Sequence, residues 1–160
     1  MAKLKTLNDL EAFLIGLEIE KNGYALYKKA AETALFSDIS KTFSNLADME
    51  LDHIETFKAI INEKKENKNF LTSYENDEAL TYVSQIMDID IFASLTPDKI
   101  IEEAKTVEEV LKVALEIEKN SILFYTEMKN ISHNDEAINI FNRLLTEEKL
   151  HFVLISKLIK

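Results

Sequence analysis

The chain has 160 residues, 46% hydrophobic and 30% charged, the composition of one soluble globular domain with a sizeable core. Its formal net charge of −10 argues against nucleic acid and anionic membrane surfaces as partners, since both are recognised by basic footprints, and no apolar run approaches a membrane span. Cysteine is absent, which excludes disulfides, thiolate zinc sites, cysteine nucleophiles and iron–sulfur clusters, so any metal must be held by carboxylate and imidazole.

Met1–Thr6 shows no apolar signal region, and the expected compartment is the cytoplasm. Two glycines and one proline are too few for a chain built on hairpins and tight turns, so long helices are expected. The first helix is predicted from Asn8 to Leu35, with Asn8 as N-cap and Glu11 completing a capping box. The second runs from Ser37 to Glu66, capped by Ser37 or Asp38. The short connection makes these two an antiparallel hairpin, residues 8–66.

Residues 67–105 are too many for a structureless loop. Asp77–Ile91 can form a helix, and Thr96-Pro97 reads as the start of a short one ending near Lys105. The third long helix begins at the capping box Thr106-Val107-Glu108-Glu109 and runs to Ile131; the fourth runs from Asn134 to the C-terminus. They form a second antiparallel hairpin, residues 106–159. The fold class is therefore all-α, a single domain over 1–160. It is a four-helix bundle of two hairpins joined by one long crossover containing short helices, which lets the second and third helices run parallel.

The most informative feature is an internal repeat. Leu17-Glu18-Ile19-Glu20-Lys21-Asn22 recurs as Leu115-Glu116-Ile117-Glu118-Lys119-Asn120, an offset of 98 residues. At the same offset Tyr27 aligns with Tyr125, Phe43 with Phe141, Leu46 with Leu144, Glu50 with Glu148, and His53 with His151. Two hairpins related by an approximate two-fold axis are expected. The repeat preserves residues that a plain apolar core rejects. Glu50 and His53 sit in the middle of the stripe formed by Phe43, Leu46, Ala47, Ile54 and Phe57. Glu148 and His151 sit likewise between Leu144, Leu145 and Ile155. On the first helix Glu20 shares a face with Phe13, Leu17 and Tyr24 or Tyr27; on the third, Glu118 does so with Leu111, Ala114 and Tyr125.

Each ionised carboxylate buried without a partner costs several kcal/mol, on the order of what a cation must offset. A Glu-x-x-His presents an oxygen and a nitrogen to one point, so Glu50 with His53 can hold one ion and Glu148 with His151 a second. Glu20 and Glu118 then bridge or chelate. Four carboxylates balance two divalent cations, and this hard, borderline-nitrogen donor set suits two ions of iron or manganese, with zinc also possible.

Other residues carry less. Glu18 and Glu116 face away from the ligands and read as solvated. Glu147, one turn before His151, either accepts a hydrogen bond from a ligand histidine or is an exposed glutamate. Tyr27 and Tyr125 are candidate catalytic residues, whose hydroxyls either serve the carboxylates or the electron path, or are satisfied elsewhere in the core. His133 reads as a surface residue, Lys64 and Lys65 as complements to a helix dipole, and Arg143 has no assigned role.

Glu20 with Tyr27, Glu50-x-x-His53, Glu118 with Tyr125, and Glu148-x-x-His151 resemble the rubrerythrin branch of the ferritin-like superfamily. The resemblance covers both hairpins and is weakest over 67–105. It implies a non-haem di-iron centre, peroxide or dioxygen as substrate, and a homodimer. Rubrerythrins proper carry a four-cysteine rubredoxin domain; without cysteine, the electrons are expected from a separate, rubredoxin-like donor protein. The family's seventh ligand, a glutamate one turn before Glu118, is absent, and Leu115 lies at that position. The leading expectation is an oxidoreductase. The alternatives are iron binding, ferroxidase activity or storage without further catalysis, and a metal-free interaction module.

Overall fold

A computed structural model of the protein describes residues 6–74, 77–88 and 94–159. It contains six α-helices and no strand among the described residues: α1 (Asp9–Glu32), α2 (Ser40–Lys64), α3 (Asp77–Asp88), α4 (Pro97–Glu103), α5 (Val107–Ile131) and α6 (Asp135–Ser156). Helix starts follow local chemistry. Asn8 and Glu11 exchange both capping-box hydrogen bonds. Thr96 caps α4 with proline in the first turn, and Asn134 accepts from Glu136 and Ala137 at the start of α6. Thr106 accepts from the Glu109 amide, but Glu109 turns back to the Lys105 amide, so this box closes one residue early.

The first hairpin departs from expectation. α1 stops at Glu32, short of Leu35, and α2 begins at Ser40 without a side-chain cap from Ser37 or Asp38. A 3₁₀ turn over Ala34–Ile39 takes the place of the cap. Phe36 breaks the helical path there and buries its ring against Phe43, 6.3 Å between centroids, while Ser40 Oγ donates to the Ala31 carbonyl at 2.6 Å. Burial of one aromatic side chain outweighs continued helix. α2 ends at Lys64 rather than Glu66, and Lys64 pairs with Glu136 at 2.8 Å, tying the end of α2 to the start of α6.

The crossover folds back along the bundle. Phe70 packs on Phe13, and Tyr74 joins Leu7 through its amide at 2.7 Å and Asp9 through its hydroxyl. Then α3 packs on α5 and α4 on α1. The expected helix to Ile91 is observed to Asp88; 89–91 lie outside the described residues, as do the first five residues. Helix directions follow from side-chain pairs: Tyr27 meets Glu118 and Tyr125 meets Glu20, so α1 and α5 are antiparallel. His53 meets Glu147 and His151 meets Glu50, so α2 and α6 are antiparallel too. α2 therefore runs parallel to α5, as one long crossover requires. Two apolar clusters fill the bundle, one around Phe13, Phe57, Phe124 and Phe141, the other around Leu26, Phe43, Val110 and Ile155. The polar site lies between them. No helix among the described residues is long and apolar enough to cross a membrane.

Gly16 packs where a Cβ would sit 2.6 Å from Phe57 Cζ, and that ring is fully buried. Gly16→Ala gains about 1 kcal/mol of helix propensity but forces the ring aside at about 1–3 kcal/mol. The expected outcome is a net loss of stability, read as a lower Tm by circular dichroism. Burial pushes the Asp9 carboxyl from an ordinary 3.8 up to about 6, against the lowering influence of Ser132 and His133. The native state thus holds a proton that the unfolded chain releases, and stability attributable to Asp9 falls as pH rises from 4 through 6. Asp9→Asn should gain on wild type across that window, by at most about 3 kcal/mol, in paired denaturant titrations at pH 4 and pH 7.

Candidate metal centre

Each long helix delivers one glutamate to the middle of the bundle: Glu20 from α1, Glu50 from α2, Glu118 from α5 and Glu148 from α6, none more than 3% exposed. His53 and His151 join them from α2 and α6, their rings stacked at 5.4 Å and 15°. The six residues predicted from the repeat converge on one point. His53 Nδ1 lies 2.9 Å from Glu20 Oε2, 3.2 Å from Glu148 Oε1 and 3.6 Å from Glu50 Oε2. His151 Nδ1 lies 3.2 Å from Glu50 Oε1, 3.6 Å from Glu118 Oε2 and 3.7 Å from Glu148 Oε2. The two sets exchange under the 98-residue offset.

Donor atoms within 4.8 Å of one another form two four-residue groups, Glu20, Glu50, His53, Glu148 and Glu50, Glu118, Glu148, His151. Glu50 and Glu148 belong to both. The shared carboxylates are therefore those of the Glu-x-x-His motifs, where sequence reasoning gave the bridging or chelating role to Glu20 and Glu118. The helix pairing is the reason: α2 and α6 face each other directly, so Glu50 reaches His151 and Glu148 reaches His53.

The tyrosines cross the same axis. The Tyr27 hydroxyl donates to Glu118, and the Tyr125 hydroxyl donates to Glu20. Burial first, and then the carboxylate each one faces, raises both phenols well above 10.0, so they remain protonated donors. Tyr24 is half-buried with Lys28 over its ring, which settles which tyrosine joins the glutamate face. Gly23 lies against Glu50, where a Cβ would make ordinary contact with Glu50 Cδ at 3.4 Å. Its repeat counterpart is Ser121, also small and buried, whose hydroxyl back-bonds to the Ile117 carbonyl. The pairing of two small residues three positions after Glu20 and Glu118 was a signal present in the repeat.

The electrostatics are those of a cluster lacking countercharge. Burial, then the Glu20 carboxylate, raises Glu50 well above the ordinary carboxyl range. Burial and Glu20 do the same to Glu148. Glu20 is lowered: burial opposes its ionisation, but hydrogen bonds from Glu50, His53 and Tyr125 outweigh it. Burial would lower both histidines, yet the surrounding carboxylates hold them raised. Protons thus take the place of cations, and not completely. Glu118 Oε2, Glu148 Oε1 and both nitrogens of His151 are buried without a hydrogen-bond partner among the described residues. Buried polar atoms left in this way on one centre, all of donor types that bind hard or borderline cations, fit a metal site.

Glu147 is half-buried and accepts from His53 Nε2 at 2.5 Å, across the bundle; it does not serve His151 on its own helix. Arg143, unassigned from sequence, lies 3.4 Å from Glu147 through Nε and donates to Thr56. Glu18 and Glu116 are exposed and pair with Lys21 and Lys119 at 2.6 and 2.5 Å. His133 is exposed.

A family model described as Rubrerythrin matches residues 11–159. The chain belongs to the rubrerythrin family. No curated protein and no solved structure matches it. Rubrerythrins are di-iron carboxylate proteins, and the carboxylate–imidazole groups of this rubrerythrin-family chain can hold metal. The match runs through the crossover, where motif resemblance was weakest.

Removing one shared carboxylate, Glu50→Ala or Glu148→Ala, should abolish stoichiometric metal uptake while the helical circular dichroism spectrum persists, since it also relieves the crowding of buried carboxyl groups. Metal uptake must displace protons held by Glu50, Glu148 and the histidines, so affinity should rise with pH and uptake should acidify a weakly buffered solution. Full metal content in both alanine variants after native purification would contradict the site.

Proposed function

We infer that this protein is a non-haem di-iron oxidoreductase that reduces hydrogen peroxide or dioxygen with electrons from a separate donor protein. The observation that carries this reading is the convergence of four buried glutamates and two buried histidines into two overlapping donor groups. In this reading Glu20 and His53 serve one iron ion, Glu118 and His151 the other, and Glu50 and Glu148 lie between them. Manganese or zinc fits the same donor set. Both hairpins supply donors to each group, so the 160 residues act as a single domain.

Two ferrous ions, held by Glu20, Glu50, His53, Glu118, Glu148 and His151, would supply the two electrons that with two protons reduce one hydrogen peroxide to two waters. The protein's own groups organise that chemistry. Tyr27 and Tyr125 hold Glu118 and Glu20 in place by hydroxyl donation, which fixes carboxylate orientation without adding charge. The raised phenol pKa values keep those protons on oxygen at neutral pH. The apolar clusters on either side exclude water, which strengthens each electrostatic contact in the centre. With no cysteine in this sequence to build an iron–thiolate centre, the electrons come from a donor outside these residues, of the rubredoxin-like kind. A homodimer and a cytoplasmic location complete the reading.

The test is anaerobic loading of metal-free protein with ferrous iron, then stopped-flow mixing with one equivalent of peroxide. Ferric carboxylate charge-transfer absorption should rise rapidly in the near ultraviolet, and a reduced rubredoxin should reverse it. Tyr27→Phe and Tyr125→Phe should keep the iron stoichiometry and slow the oxidation by roughly 10-fold. No spectral change in iron-loaded wild type would overturn the reading.

A further inference from the structure

The two halves of the centre match closely except at their histidines. His53 is held at both ring nitrogens: Nδ1 is 2.9 Å from Glu20 and Nε2 is 2.5 Å from Glu147. Its repeat mate His151 is held at neither, since its Nδ1 stands 3.6 Å from Glu118, the counterpart of Glu20, and its Nε2 has no partner among the described residues. The sequence shows why. At the 98-residue offset Glu147 corresponds to Met49, and Arg143, which braces Glu147 at 3.4 Å, corresponds to Asn45. The remaining contacts are nearly equal, with His53 to Glu148 and His151 to Glu50 both 3.2 Å. The asymmetry therefore has two parts: an outer carboxylate with its arginine on one side only, and a histidine contact to Glu20 that is shorter than its counterpart to Glu118.

We propose that Glu147 is a positioning residue that makes the two metal positions unequal, so that the His53 position fills first and the His151 position is the weaker, exchangeable one. The proposal rests on the di-metal reading above. An acceptor on Nε2 keeps that nitrogen as N–H, so Nδ1, which faces the glutamates, is the nitrogen whose lone pair a cation would take, and the ring becomes a better electron-pair donor. Arg143 and Thr56 keep Glu147 from swinging into solvent. On the other side Met49 offers no such acceptor, so His151 must select its tautomer and ring angle when a cation arrives, and part of the binding free energy is spent on that ordering. Loss of one outer hydrogen bond to a ligand histidine typically lowers metal affinity 10–100-fold, which sets the expected ratio between the two positions.

The experiment is zinc titration of metal-free protein followed by long-range ¹H–¹⁵N spectra of the imidazoles. His53, His133 and His151 are the only histidines in the chain, and each is assignable by single substitution. At one equivalent the His53 Nδ1 resonance should move to its bound position while His151 stays at its free position; the second equivalent should shift His151. In Glu147→Met, which copies the residue of the other half, the first step should weaken 10–100-fold and both histidines should respond together. Glu147→Gln keeps an acceptor and should retain the order. Met49→Glu supplies the missing acceptor and should tighten the second step. Equal response of both histidines at one equivalent in wild type, His151 responding first, or an order unchanged in Glu147→Met would overturn the proposal. Absence of any histidine shift with zinc, and equally with ferrous iron, would defeat the di-metal reading itself, a distinct outcome.

Discussion

Four carboxylates and two imidazoles share one small volume from which water is excluded. Like charges at that spacing repel strongly in a low-dielectric interior, so in the metal-free molecule protons must serve where cations would. Burial and neighbouring carboxylates raise Glu50 and Glu148, neighbouring carboxylates raise His151 against its burial, and the unpaired oxygens of Glu118 and Glu148 are atoms that a cation would satisfy. Most other features of the bundle serve this constraint. Two apolar clusters flank the site and supply the burial that stabilises the fold, and two tyrosine hydroxyls spend their only donors on its carboxylates.

The duplication gives this arrangement its economy. A single hairpin carries one glutamate on its first helix and a Glu-x-x-His on its second, and cannot neutralise them alone. Placed against a copy of itself about a two-fold axis, it gains the missing donors, because antiparallel contact of α2 with α6 sends each shared glutamate to the histidine of the other half. The same axis sends each tyrosine to the glutamate of the opposite hairpin. Stability and site assembly are therefore one event: the apolar stripes cannot dock without bringing the six polar residues together.

Symmetry is broken where the two hairpins meet different surroundings. The crossover lies over α1 and α5 with different helices, and buries Asp9 beneath Tyr74 at one end of the bundle. Within the site one histidine, His53, has an outer carboxylate in Glu147, and at the 98-residue offset the sequence has Met49 in place of that glutamate. The rubrerythrin family match spans both halves and the crossover alike.

The sequence by itself determined the all-α class, the two hairpins, the helix starts at Asn8, Thr96 and Thr106, and which six polar residues lie on the core faces of their helices. All of these rest on local spacing or on a repeat read at fixed offset, and local spacing survives whatever the rest of the chain does. It did not determine the 3₁₀ turn at Phe36, because the choice between continuing a helix and burying one ring depends on a pocket formed by distant residues. Nor did it determine that Glu50 and Glu148 are the shared carboxylates, or that Glu147 serves His53 and not the nearer-in-sequence His151. Those facts follow from how two helices cross and in which direction they run. A helical period places a side chain on a face; only the packing of that face against another decides which atoms it meets.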